Sequence, residues 1–161
     1  MTIKILTTGG TFDKVYFDAL SEFHIGEPMV GELLEEANVT FSYAVESLLK
    51  KDSLEITEED REEIRNRVAS VNESMILITH GTDTMVDTAK SLQGIDNKTI
   101  VLFGAMQPAR MRYSDAMFNL GIAIAAVQIL SPGIYIAMNG QIFNPNEVAK
   151  NRAEARFEAI A

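Results

Sequence analysis

Short apolar runs, each closed by a polar or glycine-bearing turn, recur along this chain. Ile3-Lys4-Ile5-Leu6, Met75-Ile76-Leu77-Ile78, Thr99-Ile100-Val101-Leu102-Phe103 and Gly133-Ile134-Tyr135-Ile136-Ala137-Met138 read as strands. The run from Thr99 is apolar almost throughout, as expected for a strand buried on both faces. Val39 to Val45 alternates and carries β-formers, so it reads as a further strand. Asn139-Gly140 signals a tight turn, after which Gln141-Ile142-Phe143 returns as a short strand.

Helical patterns fill the intervals. Pro28 opens a short helix, Met29 to Glu36. Thr57-Glu58-Glu59-Asp60 has the form of a helix start, with a hydroxyl cap, acids in the first turn and Asp60 three residues on. That helix is expected to run to about Val71, with Ile64, Val68 and Val71 inward and its charges in solvent. Met85 to Leu92 is amphipathic. Ser114-Asp115 reads as the cap of a long helix, Ala116 to Ile129. The stretch Leu120 to Leu130 is so apolar that the helix is expected to be covered on every side, which predicts a homo-oligomer. Phe12 to Glu27 has no clean period and is expected to be a long connection of the kind that forms lids. Lys50 to Leu54 reads as loop, and Asn146 to Ala161 as a helical tail. Strands alternating with helices predict an α/β fold: a single domain over residues 1–161, three layers, with a mostly parallel central sheet.

Composition removes several classes. The formal net charge is −9, so the basic footprint of a nucleic-acid-binding protein is missing. There are no cysteines, which excludes disulfides and thiolate chemistry. Two histidines, His24 and His80, make a histidine-rich metal site an unattractive reading. No apolar run is long enough to span a bilayer, and the N-terminus opens directly into a strand. A cytoplasmic protein with no membrane partner is the expectation.

Three turns fall at the expected carboxyl ends of strands: Thr8-Gly9-Gly10-Thr11, Thr79-His80-Gly81-Thr82-Asp83-Thr84 and Gly104-Ala105-Met106-Gln107-Pro108. In open α/β sheets ligands bind at such ends, so neighbouring strands would bring the three turns to one crevice. The paired glycines permit positive φ and close backbone approach. The middle turn carries hydroxyls, a carboxylate and an imidazole. Taken alone, Thr82 or Asp83 is as readily a helix cap as a catalytic group.

Taken together, T-G-G-T at Thr8 to Thr11, H-G-T-D-T at His80 to Thr84, G-A-M-x-P at Gly104 to Pro108 and S-D-x-x-x-N-L ending at Leu120 resemble the amino-terminal domain of bacterial-type L-asparaginases. The resemblance runs over essentially the whole chain. It implies amide hydrolysis through a threonine nucleophile, with no metal or organic cofactor. Thr11 matches the threonine usually assigned as nucleophile. Thr82 and Asp83 match two members of a threonine-lysine-aspartate set, and Val148-Ala149-Lys150 fits the pattern that holds the lysine. Asp83 is implied to bind the substrate amine as well. Ser53 matches a serine that holds the substrate carboxylate, and the Ala105 backbone is implied to face the amide being cleaved.

The chain also departs from the family pattern. Ser21-Glu22-Phe23-His24-Ile25-Gly26 places Phe23 where relatives carry a tyrosine on the first loop, with Tyr16 earlier in the same segment. Leu54 stands where a hydrogen-bonding residue is usual, and a lost hydrogen bond to a charged group costs about 1.5–3 kcal/mol. A single domain without the family's smaller carboxy-terminal domain is the expectation. The expected function is hydrolysis of the side-chain amide of asparagine or a related small amide. The alternatives are a non-catalytic amino-acid-binding or regulatory module, and an ammonia-supplying amidase component of a tRNA-dependent amidotransferase.

Overall fold

The alternation of side chains along the strands divides the molecule into two cores. A computed structural model describes residues 1–160. Among the described residues ten strands are formed: β1 (Thr2–Gly9), β2 (Lys14–Phe17), β3 (Glu22–Ile25), β4 (Ser42–Lys51), β5 (Met75–Thr79), β6 (Thr99–Phe103), β7 (Gly133–Met138), β8 (Gln141–Phe143), β9 (Val148–Asn151) and β10 (Arg156–Ala159). Four α-helices accompany them: α1 (Val30–Glu36), α2 (Glu58–Ser70), α3 (Met85–Ser91) and α4 (Ala116–Ile129). The main sheet has the order β4-β1-β5-β6-β7-β8. All its pairs are parallel except β7 with β8.

Because strand side chains alternate between faces, Ile5, Leu77, Val101, Phe103 and Ala137 point to one side. They pack there with Val30, Leu33 and Leu34 of α1 and with Leu120, Ala123 and Val127 of α4. Leu6, Ile76, Ile78, Ile100, Leu102 and Ile136 point to the other side, against Ile64 and Val68 of α2 and Met85 and Ala89 of α3. This is the three-layer α/β arrangement expected from the sequence. Thr57 caps α2 as a full capping box with Asp60, also as expected.

Several segments differ from their sequence-based expectation. Phe12 to Glu27 forms a hairpin, with β2 and β3 antiparallel and a 3-10 turn at Asp18–Leu20. Cross-strand pairs such as Tyr16 with Phe23, ring centroids 5.3 Å apart, supply order that a single-strand pattern does not reveal. The strand expected at Val39 to Val45 begins at Ser42 and continues to Lys51, taking in residues read as loop. It is a sheet edge, where pairing to β1 rather than hydrophobicity extends it. The last segment is not helical. A 3-10 turn at Pro145–Glu147 leads into the antiparallel pair β9–β10, fixed by the buried Val148 and Phe157. Asn139 Oδ1 accepts from the Phe157 amide at 2.8 Å, tying this hairpin to the β7–β8 turn. Within the single chain α4 is covered on one side only: Phe118 and Ile129 are 58% and 77% exposed.

Candidate active site

Since β1, β5 and β6 are neighbours, the turns that follow them meet. The His80 amide donates to the Phe103 carbonyl at 2.9 Å, and Thr8 Oγ1 donates to the Thr79 carbonyl at 2.7 Å. Gly10, at φ +76°, lies directly against the second turn. A Cβ at this position would fall 2.5 Å from the Gly81 nitrogen. Gly81 is as tightly placed on its other side, where a Cβ would fall 2.6 Å from that of Ser53. Glycine is thus used where two backbones touch.

A small cleft of about 40 Å3 opens here, lined by Gly10, Thr11, Lys14, Asp52, Ser53, Gly81, Thr82 and Asp83. Thr11 and Thr82 therefore stand at the same end of the sheet, in one cleft. Thr82 and Asp83 do not cap α3. The capping position is Thr84, which makes no side-chain cap and donates instead to the Ser53 carbonyl at 2.7 Å. Lys150, on β9, reaches in from the far end of the chain. Its Nζ donates to Thr82 Oγ1 at 2.7 Å and to Asp83 Oδ1 at 2.9 Å. The Lys150 contact holds the Asp83 carboxyl below its ordinary range against the opposing effect of partial burial, with Arg152 and Lys14 adding to the lowering.

Ser53 is buried beside Gly81, and Leu54 turns outward, 64% exposed. Ala105 follows β6 and is buried in the core, and is not among the residues lining the cleft. Phe23 and Tyr16 are cross-strand partners, each about half exposed, and neither lines the cleft. Asp115, expected as a cap of α4, instead accepts from the amides of Met106 and Gln107 and from Asn119, fixing the third turn. Ser114 Oγ takes the Ala116 amide.

Sequence reasoning does not find Lys14, Asp52 and Arg152. Lys14 Nζ lies 3.5 Å from Asp52 Oδ2, and Arg152 Nη2 lies 3.4 Å from Asp83 Oδ1. Arg152 lies in the turn beyond β9, so strand spacing gives no signal for it. His80 has no role on sequence grounds, and the structure gives it one. It is fully buried, and its Nδ1 donates to the Gly81 carbonyl at 2.7 Å, since a carbonyl only accepts. That leaves Nε2 to accept from Thr88 Oγ1 at 2.7 Å, while Thr88 accepts from Arg61 Nε at 3.1 Å. Arg61, Thr88 and His80 form a buried line of hydrogen bonds ending on the backbone of the Thr82 turn.

Two buried groups give this region opposite responses to acid. Burial pushes His80 down from 6.5 to about 4. Its unfolded form protonates first, so its contribution is full above pH 6.5 and is lost as pH falls toward 4. Burial pushes Asp13 up from 3.8 to about 6, partly opposed by the Met29 amide and by Arg110. Its contribution is full below pH 3.8 and is lost as pH rises through 6. Each spans about 3 kcal/mol at 1.36 kcal/mol per decade, so the two largely cancel in the wild type. Single variants expose them. Relative to wild type, His80→Asn should gain about 3 kcal/mol between pH 7 and 4, and Asp13→Asn should lose a similar amount. Denaturant unfolding at the two pH values checks both signs.

The family model for the amino-terminal domain of asparaginase matches residues 2–160. This chain belongs to the asparaginase family. It is 34% identical to a glutaminase-asparaginase of Acinetobacter glutaminasificans, over 92% of this chain and 49% of that protein. It is 32% identical to one of the polypeptides of a glutamyl-tRNA(Gln) amidotransferase from Methanococcus vannielii, over 87% of this chain and 34% of that polypeptide. The solved thermostable L-asparaginase of Thermococcus kodakarensis superposes with a TM-score of 0.86 at 28% identity, covering 99% of this chain and 51% of that one. The chain thus spans about half the length of the asparaginase relatives it matches. Among the described residues no helix is long and apolar enough to cross a membrane, and no cluster of three metal-ligating side chains occurs.

Proposed function

We propose that this asparaginase-family chain hydrolyses the side-chain amide of a small amino acid or a related small amide, releasing ammonia. One observation carries the reading. Lys150, 68 positions from Thr82 in sequence, bonds both Thr82 and Asp83 beside a cleft that Thr11 lines. A threonine hydroxyl attacks a carbonyl only when a base takes its proton. In the proposed reaction Thr11 Oγ attacks the amide carbon, and its proton passes by way of Thr82 to the Lys150 amine. Asp83 stabilises the ammonium that results and orients the substrate amine. The proton returns to the departing nitrogen, ammonia leaves, and water releases the acid from Thr11. Backbone amides of the Thr82 turn suit the developing oxyanion, and Ser53 completes the substrate's surroundings. The chemistry proposed requires no metal or organic cofactor.

Ammonia release from a panel of small amides, measured on the purified chain, tests this directly. Binding of an amino acid in calorimetry without ammonia release from any amide would replace it with a binding-module reading. The likeness to the Methanococcus amidotransferase polypeptide supports a second reading, in which the same chemistry supplies ammonia to a partner.

We also propose a homo-oligomer. Met117, Phe118 and Ile129 on the outer face of α4, with Ile142 of β8, are exposed apolar side chains, and Phe118 also packs against Gly140 in the β7–β8 turn. Exposed apolar surface of this kind is characteristic of association sites. Light scattering at micromolar concentration should give at least twice the chain mass of 17.8 kDa. The mass of one chain would refute it, and Phe118→Glu should lower the mass if this face is the contact.

A further inference from the structure

Three charged side chains line the cleft among the described residues: the carboxylates of Asp52 and Asp83 and the ammonium of Lys14. Lys150 and Arg152 both meet Asp83 at Oδ1, at 2.9 and 3.4 Å, which leaves Oδ2 for an incoming ammonium. Lys14 Nζ lies 3.5 Å from Asp52 Oδ2, and both side chains are partly exposed. A pair this long and this solvated contributes little, so it does not tie up the Lys14 ammonium. An ammonium carries three donors, and one contact to Asp52 leaves others to give. Both partners are set from below. Asp52 Oδ1 accepts from the Leu54 amide at 3.0 Å. The carbonyl of Asp13, just before Lys14, accepts from the Gly26 amide and from Arg110 Nη1, each at 2.8 Å. Asp13 Oδ1 accepts from the Met29 amide at 2.9 Å, so the backbone that carries Lys14 is held on two sides. Leu54, beside Ser53, turns outward and offers a ligand no side-chain donor.

We infer that Lys14 binds the α-carboxylate of the substrate alongside Ser53, and so selects free amino acids over amides that lack this carboxylate. This rests on the amidohydrolase reading above. The two charges of a zwitterion then meet opposite partners in one cleft, the ammonium at Asp83 and the carboxylate at Lys14. Complementary charge of this kind gives specificity more than raw affinity. Without Lys14, an incoming carboxylate would meet only the like charges of Asp52 and Asp83 among the charged groups that line the cleft. The lysine therefore does two things at once. It donates a charge-assisted hydrogen bond to the ligand, and it offsets the carboxylate that holds it. Its place on β2, three residues after Thr11, couples recognition of the α-carboxylate to the segment that carries the attacking hydroxyl.

The test compares kcat/KM for L-asparagine and for 3-aminopropanamide, which is asparagine without its α-carboxylate, in the wild type, Lys14→Met and Lys14→Arg. The wild type should favour asparagine. Lys14→Met should lower the ratio of asparagine to 3-aminopropanamide about tenfold, chiefly through KM, because a hydrogen bond to a charged group is lost. Lys14→Arg should keep most of the wild-type ratio. Each ratio is taken within one protein, so a smaller folded fraction cancels. Calorimetric titration with L-aspartate, which carries the same α-groups, reads binding without turnover and should show a similar loss of affinity in Lys14→Met. If both amides are hydrolysed but the wild type prefers 3-aminopropanamide, or the ratio in Lys14→Met stays within twofold of wild type, the inference fails and the amidohydrolase reading stands. If no protein hydrolyses either amide, the amidohydrolase reading falls. The role of Lys14 then survives if aspartate binds the wild type and binds Lys14→Met about tenfold more weakly, and it falls as well if aspartate binds both alike or binds neither.

Discussion

Thr82→Val and Thr11→Val are each expected to abolish ammonia release while leaving the fold intact. Valine has nearly the shape of threonine, so the packing around each position persists. At position 82 the change removes the oxygen that accepts from Lys150 Nζ at 2.7 Å. Lys150 would keep only its contact with Asp83, and the path of a proton from Thr11 would be broken. Removal of a positioned proton-transfer group costs about 10²- to 10⁴-fold in rate. Loss of the attacking hydroxyl itself leaves no covalent route at all. Lys150→Met should match Thr82→Val in rate, and the double variant should be no worse than either, because groups acting as a unit are not additive. Circular dichroism and unfolding midpoints close to wild type would locate the loss in the chemistry. Retention of a tenth or more of the wild-type rate by Thr82→Val would remove Thr82 and Lys150 from the mechanism.

Gly10→Ala is expected to damage stability and activity together. The position has φ +76° and ψ −175°, a region open essentially only to glycine, which costs an alanine about 1–3 kcal/mol. The new Cβ would also fall 2.5 and 2.6 Å from the nitrogen and Cα of Gly81, both backbone atoms that cannot rotate aside. Overpacking of this kind adds about 1–3 kcal/mol. The two turns would have to separate, carrying Thr11 away from Thr82, so activity should fall further than the folded fraction does. Denaturant midpoints combined with ammonia release per folded molecule separate the two effects. An unchanged midpoint would mean that the turns are not in contact as described. Gly31→Ala is the control, since a Cβ there meets nothing within 4 Å.

Local pattern alone determined the layers of this protein. The continuous apolar runs at Met75–Thr79, Thr99–Phe103 and Gly133–Met138, and the capping box at Thr57, depend on side-chain polarity and neighbouring hydroxyls, which are properties of consecutive residues. The motifs at Thr8–Thr11 and His80–Thr84 likewise marked where chemistry would sit, because those turns end strands that pair side by side. Tertiary structure decided the rest. The hairpin that carries Lys150 forms because Val148 and Phe157 find a core built by other elements, and composition within residues 146–160 does not encode that core. The outer half of β4 is a strand because β1 lies beside it. The uncovered face of α4 is apolar in sequence and exposed in space, a difference set by what packs against it. Lys14 of β2 stands more than a hundred residues before Lys150 of β9 and Arg152 of the turn beyond it, and the fold brings them to Asp52 and Asp83. Charges so far apart in sequence share one field only after the chain has folded, and so the electrostatics of the cleft were not legible until its turns were brought together.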